Sequence, residues 1–537
     1  MKVLSSITSL VLLPAVCALA AAASDVFDLG GEIESLWPEN AMPLAAAHQT
    51  TPRLEWCPPP AKPVGTCVIL VSGGSYQCLN DIGVVRSANE RFTALGCQCV
   101  NLVYRTPRPK GDGPIYATAR TDILRAIRLA RSGAARRGYS PDRIGLLGMS
   151  AGAHLALVAA LGSRTNVYEA VDRVDELSAR PDFVIAGSPA YLLDDGLAVF
   201  TFEDNPPPVC LTHGGDDPFS PLGSTALYRA LRSRKIPAEL HLYGGYGHTF
   251  LGLERGVEFL RQLGFLGEVP PEEDRRVFTG NHLWVRDAAH PRETMSRTFT
   301  DENGKTAKLT WYVPYTLKTR SAMLVFPGGS YINCDPRGEA LPVAEYLTRK
   351  GMTAVVLEYR IPRAEGRTRH ARAWEDARWA IETMKREAPS LGLDPERVGV
   401  MGFSAGGHLA LMCATSAGDA AHAVRLAVPI YSGYVVDDQG GKVYLPDGNG
   451  PDAKITGDFA FDRFTPPMCF VHGDADVISP MGSVLVWEKL TEMGIKCDLH
   501  TLATRSHCFQ FKASPGTGSY TYLDRVWDFL IAQGFAL

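Results

Sequence analysis

The sequence predicts an α/β architecture written twice: in each half, a mostly parallel, doubly wound sheet covered by helices on both faces. Three observations predict it. The chain of 537 residues is too long for one ordinary domain and fits two of about 250 residues. Five phrases recur in the same order in the two halves. Between these phrases, short and continuously apolar runs alternate with segments whose apolar residues fall at helical spacing.

The longest phrase is "LLGMSAGAHLAL", Leu146 to Leu157, answered 254 residues later by "VMGFSAGGHLAL", Val400 to Leu411. "VSGGSYQC" from Val71 answers "FPGGSYINC" from Phe326, and "LVYRTPR" from Leu102 answers "LEYRIPR" from Leu357. "LTHGGDDPFSPLGS" from Leu211 pairs with "VHGDADVISPMGS" from Val471, and "ELHLYGGYGHTF" from Glu239 with "DLHTLATRSHCF" from Asp498. Repeats of this length duplicate a whole fold, whereas a solenoid would repeat every few tens of residues. The charged, Pro-bearing stretch "GEVPPEEDRR" from Gly267 marks the join. The expected layout is a leader over 1–23, a first domain over 24–268, a linker over 269–289 and a second domain over 290–537.

Within the first half, "TCVILV", "GCQCVNLVY", "DRIGLLG", "DFVIAG", "PVCLTHG" and "AELHLY" read as strands. They are apolar throughout because a parallel sheet is buried on both faces. "TDILRAIRLARSGAARR" and "GSTALYRALRSRK" carry apolar residues on one face with Arg and Lys opposite, as do "EDARWAIETMKRE" and "GSVLVWEKLTEMG" later. Alternation of these two patterns gives the doubly wound sheet, whose ligands lie at the C-terminal ends of the strands.

A net charge of -4 suits neither a nucleic-acid binder nor a strongly acidic tail. The N-terminus, with Lys2 ahead of the apolar "LVLLPAVCALA" and small residues up to Ala23, reads as a secretory signal, so a secreted or periplasmic location is expected. No later segment is long and apolar enough to span a membrane. Removal of the signal leaves 11 cysteines, so at least one stays free or pairs between chains. Cys210 and Cys469 sit inside apolar strands and are expected to be buried core thiols. No cysteine pair has zinc spacing, and neither a metal nor an organic cofactor is expected.

Ser150 and Ser404 each lie between glycines after a predicted strand and before a predicted helix. A turn this tight exposes the serine hydroxyl at the top of the sheet, beside the positive end of the helix. The hydroxyl is a useful nucleophile only if an imidazole takes its proton and a carboxylate orients that imidazole. Two aspartates compete in each half. Counted four residues from His213 and His472, only Asp217 and Asp476 place a carboxylate in both copies. His248 and His507 each follow the chosen aspartate by 31 residues, in the loop after the last predicted strand, and are the expected bases. His154 and His408, in the helix after the serine, are expected to pack or support. An oxyanion hole needs backbone N–H groups, for which Ala151 and Ala405 supply one each. The Gly-rich turns at Gly74-Ser75 and Gly329-Ser330 supply the other.

These stretches resemble the α/β-hydrolase superfamily, and more narrowly secreted bacterial esterases similar to acetyl xylan esterases. The resemblance runs over most of both halves and implies Ser-Asp-His sites acting through an acyl-enzyme. One departure is that the His-Gly-Gly-Gly turn of many esterases is replaced by Ser72-Gly73-Gly74-Ser75 and Pro327-Gly328-Gly329-Ser330. Which N–H completes each hole, that of Gly74 or Ser75 and that of Gly329 or Ser330, is therefore left open. The expected substrate is an acylated carbohydrate or small ester, with acetyl groups on xylan favoured. The competing expectations are one catalytic half beside a glycan-binding or structural half, and feruloyl ester cleavage. Tyr76 and Tyr331, beside the turns, are read as either sugar-stacking or packing residues. The polar stretch from Asp437 to Phe459 lacks a long counterpart in the first half and is expected to line the second site.

Overall fold

The computed structural model describes residues 30–44, 49–109, 113–165, 167–194, 197–202, 205–267, 293–437, 453–503, 506–509 and 522–537. The expected leader and linker lie outside the described residues, as does 438–452 of the polar stretch. Contacts divide the chain into two compact units, Met1–His241 with Tyr246–Val269, and Leu242–Gly245 with Pro270–Leu537. No helix among the described residues is long and apolar enough to cross a membrane.

The first unit contains, in chain order, β1 (Ile33–Ser35), β2 (Arg53–Trp56), β3 (Cys67–Val71), α1 (Ile82–Ala94), β4 (Gln98–Val103), α2 (Ala117–Arg137), β5 (Ile144–Met149) and α3 (Ala151–Leu161). It continues with β6 (Phe183–Gly187), β7 (Val209–Gly214), α4 (Leu222–Ser233), β8 (Ala238–Tyr243) and α5 (Leu253–Gln262). Its strand order is β1-β2-β4-β3-β5-β6-β7-β8. The pairs β3 with β4, β3 with β5, β5 with β6 and β6 with β7 are parallel, and β1 and β2 add an antiparallel edge. The chain winds outward from β3 to one side and from β5 to the other, so the sheet reverses direction between these two strands.

The second unit repeats the scheme with β9 (Glu293–Thr300), β10 (Thr306–Tyr312), β11 (Ala322–Phe326), α6 (Ala340–Arg349), β12 (Thr353–Glu358), α7 (Ala371–Glu387), β13 (Val398–Phe403) and α8 (Ala405–Thr415). It ends with β14 (Ala427–Ile430), a short pair β15 (Val436–Asp437) and β16 (Lys454–Ile455), then β17 (Cys469–Gly473), α9 (Met481–Glu492), β18 (Asp498–Leu502) and α10 (Tyr522–Ala532). The sheet order is β9-β10-β12-β11-β13-β14-β17-β18, with β9 and β10 antiparallel. The antiparallel strands escape a search for continuous apolar runs because polar residues alternate with their apolar ones. Along β10, exposed or half-exposed Thr306, Lys308 and Tyr312 interrupt the buried residues.

Helices α3 and α8 are buried at every position, unlike the amphipathic outer helices. A helix apolar all round belongs in the interior, and these two carry the turn that holds the serine. The repeated Tyr-Arg phrase also has a physical reason. Arg105 donates to Asp122 of α2 at 2.9 and 2.8 Å with both side chains fully buried, and Arg360 donates to Asp376 of α7 at 2.7 Å. A buried charge needs such a partner, so the pair fixes the end of β4 or β12 to the following helix. The adjacent Tyr104 and Tyr359 hydroxyls donate to the carbonyls of Ser72 and Pro327, holding the Gly-rich turns from behind. All eleven described cysteines are free thiols, and Cys210 and Cys469 are fully buried.

Candidate active site

Each serine stands between a parallel strand and a buried helix in a backbone conformation that side-chain-bearing residues rarely adopt. Ser150 has φ 56° and ψ −122°, and Ser404 has φ 53° and ψ −114°. Such strain persists only where the surroundings over-determine it. Here the helix enters so close to the first central strand that a Cβ on Gly152 would lie 2.1 Å from the Val71 carbonyl oxygen, and one on Gly406 would lie 2.3 Å from that of Phe326. Glycine after the serine is a requirement of space.

The structure brings Ser150, His248 and Asp217 together at the C-terminal ends of β5, β8 and β7. Nε2 of His248 is 2.8 Å from the Ser150 hydroxyl, and its Nδ1 is 2.8 Å from Oδ2 of Asp217. Ser404, His507 and Asp476 meet in the same way after β13, β18 and β17, with both separations 2.9 Å. The serines and aspartates are buried, while the histidine side chains keep 26% and 20% exposure, which leaves a route for substrate to the hydroxyl.

Electrostatics keep both aspartates ionised. Burial pushes Asp217 up, but hydrogen bonds and charge from His213 and His248 outweigh it and hold the carboxyl well below its ordinary range. The same balance, with His472 and His507, brings Asp476 to about 2. Burial disfavours a charged His507, yet the Asp476 carboxylate with its hydrogen bond raises this imidazole above its ordinary value. The Cys508 thiol and the edge-packed Tyr431, whose centroid is 4.9 Å away, also lie beside that ring.

The two Gly-rich turns are strained in the same sense. Gly74 and Gly329 have φ of 125° and 116°, and the following Ser75-Tyr76 and Ser330-Tyr331 all lie between 56° and 60°. The N–H of Gly73 donates to Asp81 at 2.8 Å, and that of Gly328 donates to Glu339. These two amides are therefore spent. The N–H groups of Gly74, Ser75 and Ala151, and of Gly329, Ser330 and Ala405, meet no acceptor among the described residues. These are the amides that the sequence reading assigned to the oxyanion holes.

Tyr76 and Tyr331 are packing residues. Both are buried, and their hydroxyls lie 2.7 Å from Nδ1 of His154 and His408 respectively, one turn beyond each serine. They have no free face for a sugar, which resolves the two readings left open above.

Sequence reasoning used His213 and His472 to set the register and passed over them as bases, and the structure places them behind the aspartates. His213 Nε2 is 3.2 Å and His472 Nε2 3.5 Å from the carboxylate oxygen that faces the outer histidine. Each inner imidazole is held from its other side by a serine, Ser224 at 2.8 Å or Ser483 at 3.0 Å. The identical His-x3-Asp-x6-Ser spacing in the two halves was the available signal. Asp81 and Glu339 gave none, because they stand at different distances from their glycines, 8 and 11 residues on.

Strand order, the strained serine between strand and helix, and the chain order Ser, Asp, His together define each unit as an α/β-hydrolase domain, and the chain as a tandem pair of them. Comparison with known proteins agrees: the BD-FAE family model matches twice, over residues 56–187 and 309–435. Among curated relatives, an acetylxylan esterase of Xylanibacter ruminicola is 24% identical over 252 residues, 44% of this chain and 51% of that protein. Endo-1,4-beta-xylanase B of Butyrivibrio fibrisolvens is 26% identical over 40% of this chain and 38% of its own length. The chain thus spans about half or less of the curated relatives it matches. Among solved structures, an acetyl ester-xyloside bifunctional hydrolase from Caldicellulosiruptor lactoaceticus is 27% identical, with a TM-score of 0.36 over 44% of this chain and 98% of that one. The apo form of Thermogutta terrifontis esterase 2 is 23% identical, with a TM-score of 0.39 over 47% of this chain and 99% of that one.

Proposed function

We propose that each unit is a serine carboxylesterase and that the pair removes acyl groups from plant polysaccharide, with acetyl esters of xylan as the preferred substrate. The observation that carries this reading is the unbroken hydroxyl–imidazole–carboxylate line in both units. In the reaction, His248 or His507 takes the proton of Ser150 or Ser404 through Nε2 as the hydroxyl oxygen bonds to the ester carbonyl carbon. The oxygen that gains charge is met by the Ala151 or Ala405 amide and by an amide of the Gly-rich turn. Return of the proton to the departing sugar oxygen, as its bond to the carbonyl carbon breaks, releases the sugar hydroxyl and leaves an acyl-enzyme. Water, deprotonated by the same imidazole, then releases the acid.

The names of the relatives support a xylan ester as substrate, since one is an acetylxylan esterase and another a xylanase. The N-terminal sequence pattern supports export, which would place the protein where such polysaccharide occurs. The assignment is tested by incubating the protein with acetylated xylan and with feruloylated arabinoxylan and measuring released acetate and hydroxycinnamate. Acetate release is expected to dominate. Dominant hydroxycinnamate release would overturn the acetyl assignment, and failure to cleave either polymer or p-nitrophenyl acetate would overturn the esterase class.

A further inference from the structure

The second unit holds a cluster that the hydrolytic reaction does not use. His408, on α8, spends Nδ1 on the Tyr331 hydroxyl and turns Nε2 toward Asp458, 3.2 Å from its Oδ2. His370, the residue before α7, points Nδ1 at the same carboxylate oxygen from 3.7 Å, too far for a hydrogen bond. That nitrogen is buried and has no hydrogen-bond partner among the described residues. A buried ring nitrogen left unpaired is costly, and here it faces two other potential ligand atoms, all three within 4.8 Å of one another.

The first unit is an internal control. His154 makes the same bond to Tyr76, but the residue before α2 is Tyr116, whose ring packs edge-on against His154 at 5.6 Å. Tyr116 precedes the buried Asp122 by six residues, as His370 precedes Asp376, so the two positions correspond. Asp458 belongs to the polar stretch that has no long counterpart in the first half. The second unit has therefore gained an imidazole and a carboxylate at one point.

We propose that His370, His408 and Asp458 form a divalent transition-metal site, fitted to Zn2+, in which the ion clamps the Asp458 segment onto the nucleophile helix. Tetrahedral zinc with bonds of about 2.0–2.2 Å sets its ligand atoms about 3.3–3.6 Å apart, and the observed 3.2 and 3.7 Å bracket that range. Two imidazoles and one carboxylate suit this ion and leave a fourth position for water. Donation from His408 Nδ1–H to the Tyr331 hydroxyl would fix the tautomer with the Nε2 lone pair free, the outer-shell bond such ligands need. Arg369 adds a nearby positive charge, partly neutralised by Asp458. The sequence reading expected no metal because it sought short cysteine spacings, whereas these ligands are scattered over 370, 408 and 458.

The test uses the untagged full chain, stripped with a chelator and titrated with Zn2+ against a chromophoric competitor, and with Co2+ followed by its visible spectrum. One site per chain with a tetrahedral Co2+ spectrum is expected. Affinity should fall at least about 10-fold in His370→Tyr, which copies the first unit, and in Asp458→Asn. Zn2+ should raise the melting temperature of the wild type more than that of either variant. Absence of Zn2+ and Co2+ binding in the wild type, or binding of equal affinity in both variants, would overturn the proposal. Should His370→Tyr fail to fold, Asp458→Asn decides alone, since that side chain is 27% exposed and its loss leaves the core intact.

Discussion

Ser150→Ala and Ser404→Ala are each expected to retain p-nitrophenyl acetate turnover from the untouched unit, while the double variant falls by at least about 10^4-fold. The magnitude follows from the geometry. Without the hydroxyl there is no acyl-enzyme, and what survives is the modest rate that amides and binding give to water attack. Each unit contains its own hydroxyl, imidazole and carboxylate, so neither lacks a part that the other must lend. The measurement is steady-state kinetics on all three variants, with circular dichroism as the folding control. Loss of all turnover in one folded single variant would show that the other unit is not an independent catalyst.

The second large effect is expected from the aspartates. With the opposite serine already replaced, Asp217→Asn or Asp476→Asn should lower kcat by about 10^4-fold with little structural change. An amide NH2 facing Nδ1 turns the histidine into the other tautomer, so Nε2 then carries a hydrogen toward the serine and cannot receive its proton. The pH profile provides a separate readout in the second unit. Asp476 raises His507, and a raised base becomes neutral only at higher pH, so kcat/KM of Ser150→Ala should climb to its plateau above the ordinary imidazole value of about 6.5. Asp476→Asn removes that charge and should move the same limb downward. A limb at or below the ordinary value in Ser150→Ala, or no movement on substitution, would contradict the account.

Much of the fold was legible because parallel strands buried on both faces are apolar without interruption, as in Cys67–Val71 and Val209–Gly214. The antiparallel strands Arg53–Trp56 and Thr306–Tyr312 were not, because polar Arg53, Glu55, Thr306 and Lys308 alternate with their apolar residues and break the continuous apolar run. The aspartates that the structure sets beside His248 and His507 could be picked out because the duplication is an internal alignment: only one register placed a carboxylate in both halves. What stayed hidden is what depends on approach through space. Asp81 and Glu339 hold equivalent amides from unequal sequence distances, so no register pairs them. The burial of Tyr76 and Tyr331 beneath their own turns follows from two successive positive-φ residues, which a Gly-Gly-Ser-Tyr string does not announce. His370 and Asp458 meet only after the chain has gone around α8.

The central claim is that both serines are activated, each by its own imidazole. Treatment of the full chain with a fluorophosphonate, followed by intact-mass and peptide mass spectrometry, tests this without reference to any natural substrate. Two adducts per chain are predicted, one on Ser150 and one on Ser404, each absent when the serine it occupies is replaced by alanine. A folded protein that takes up no label, or takes it up at a single serine only, would contradict the account.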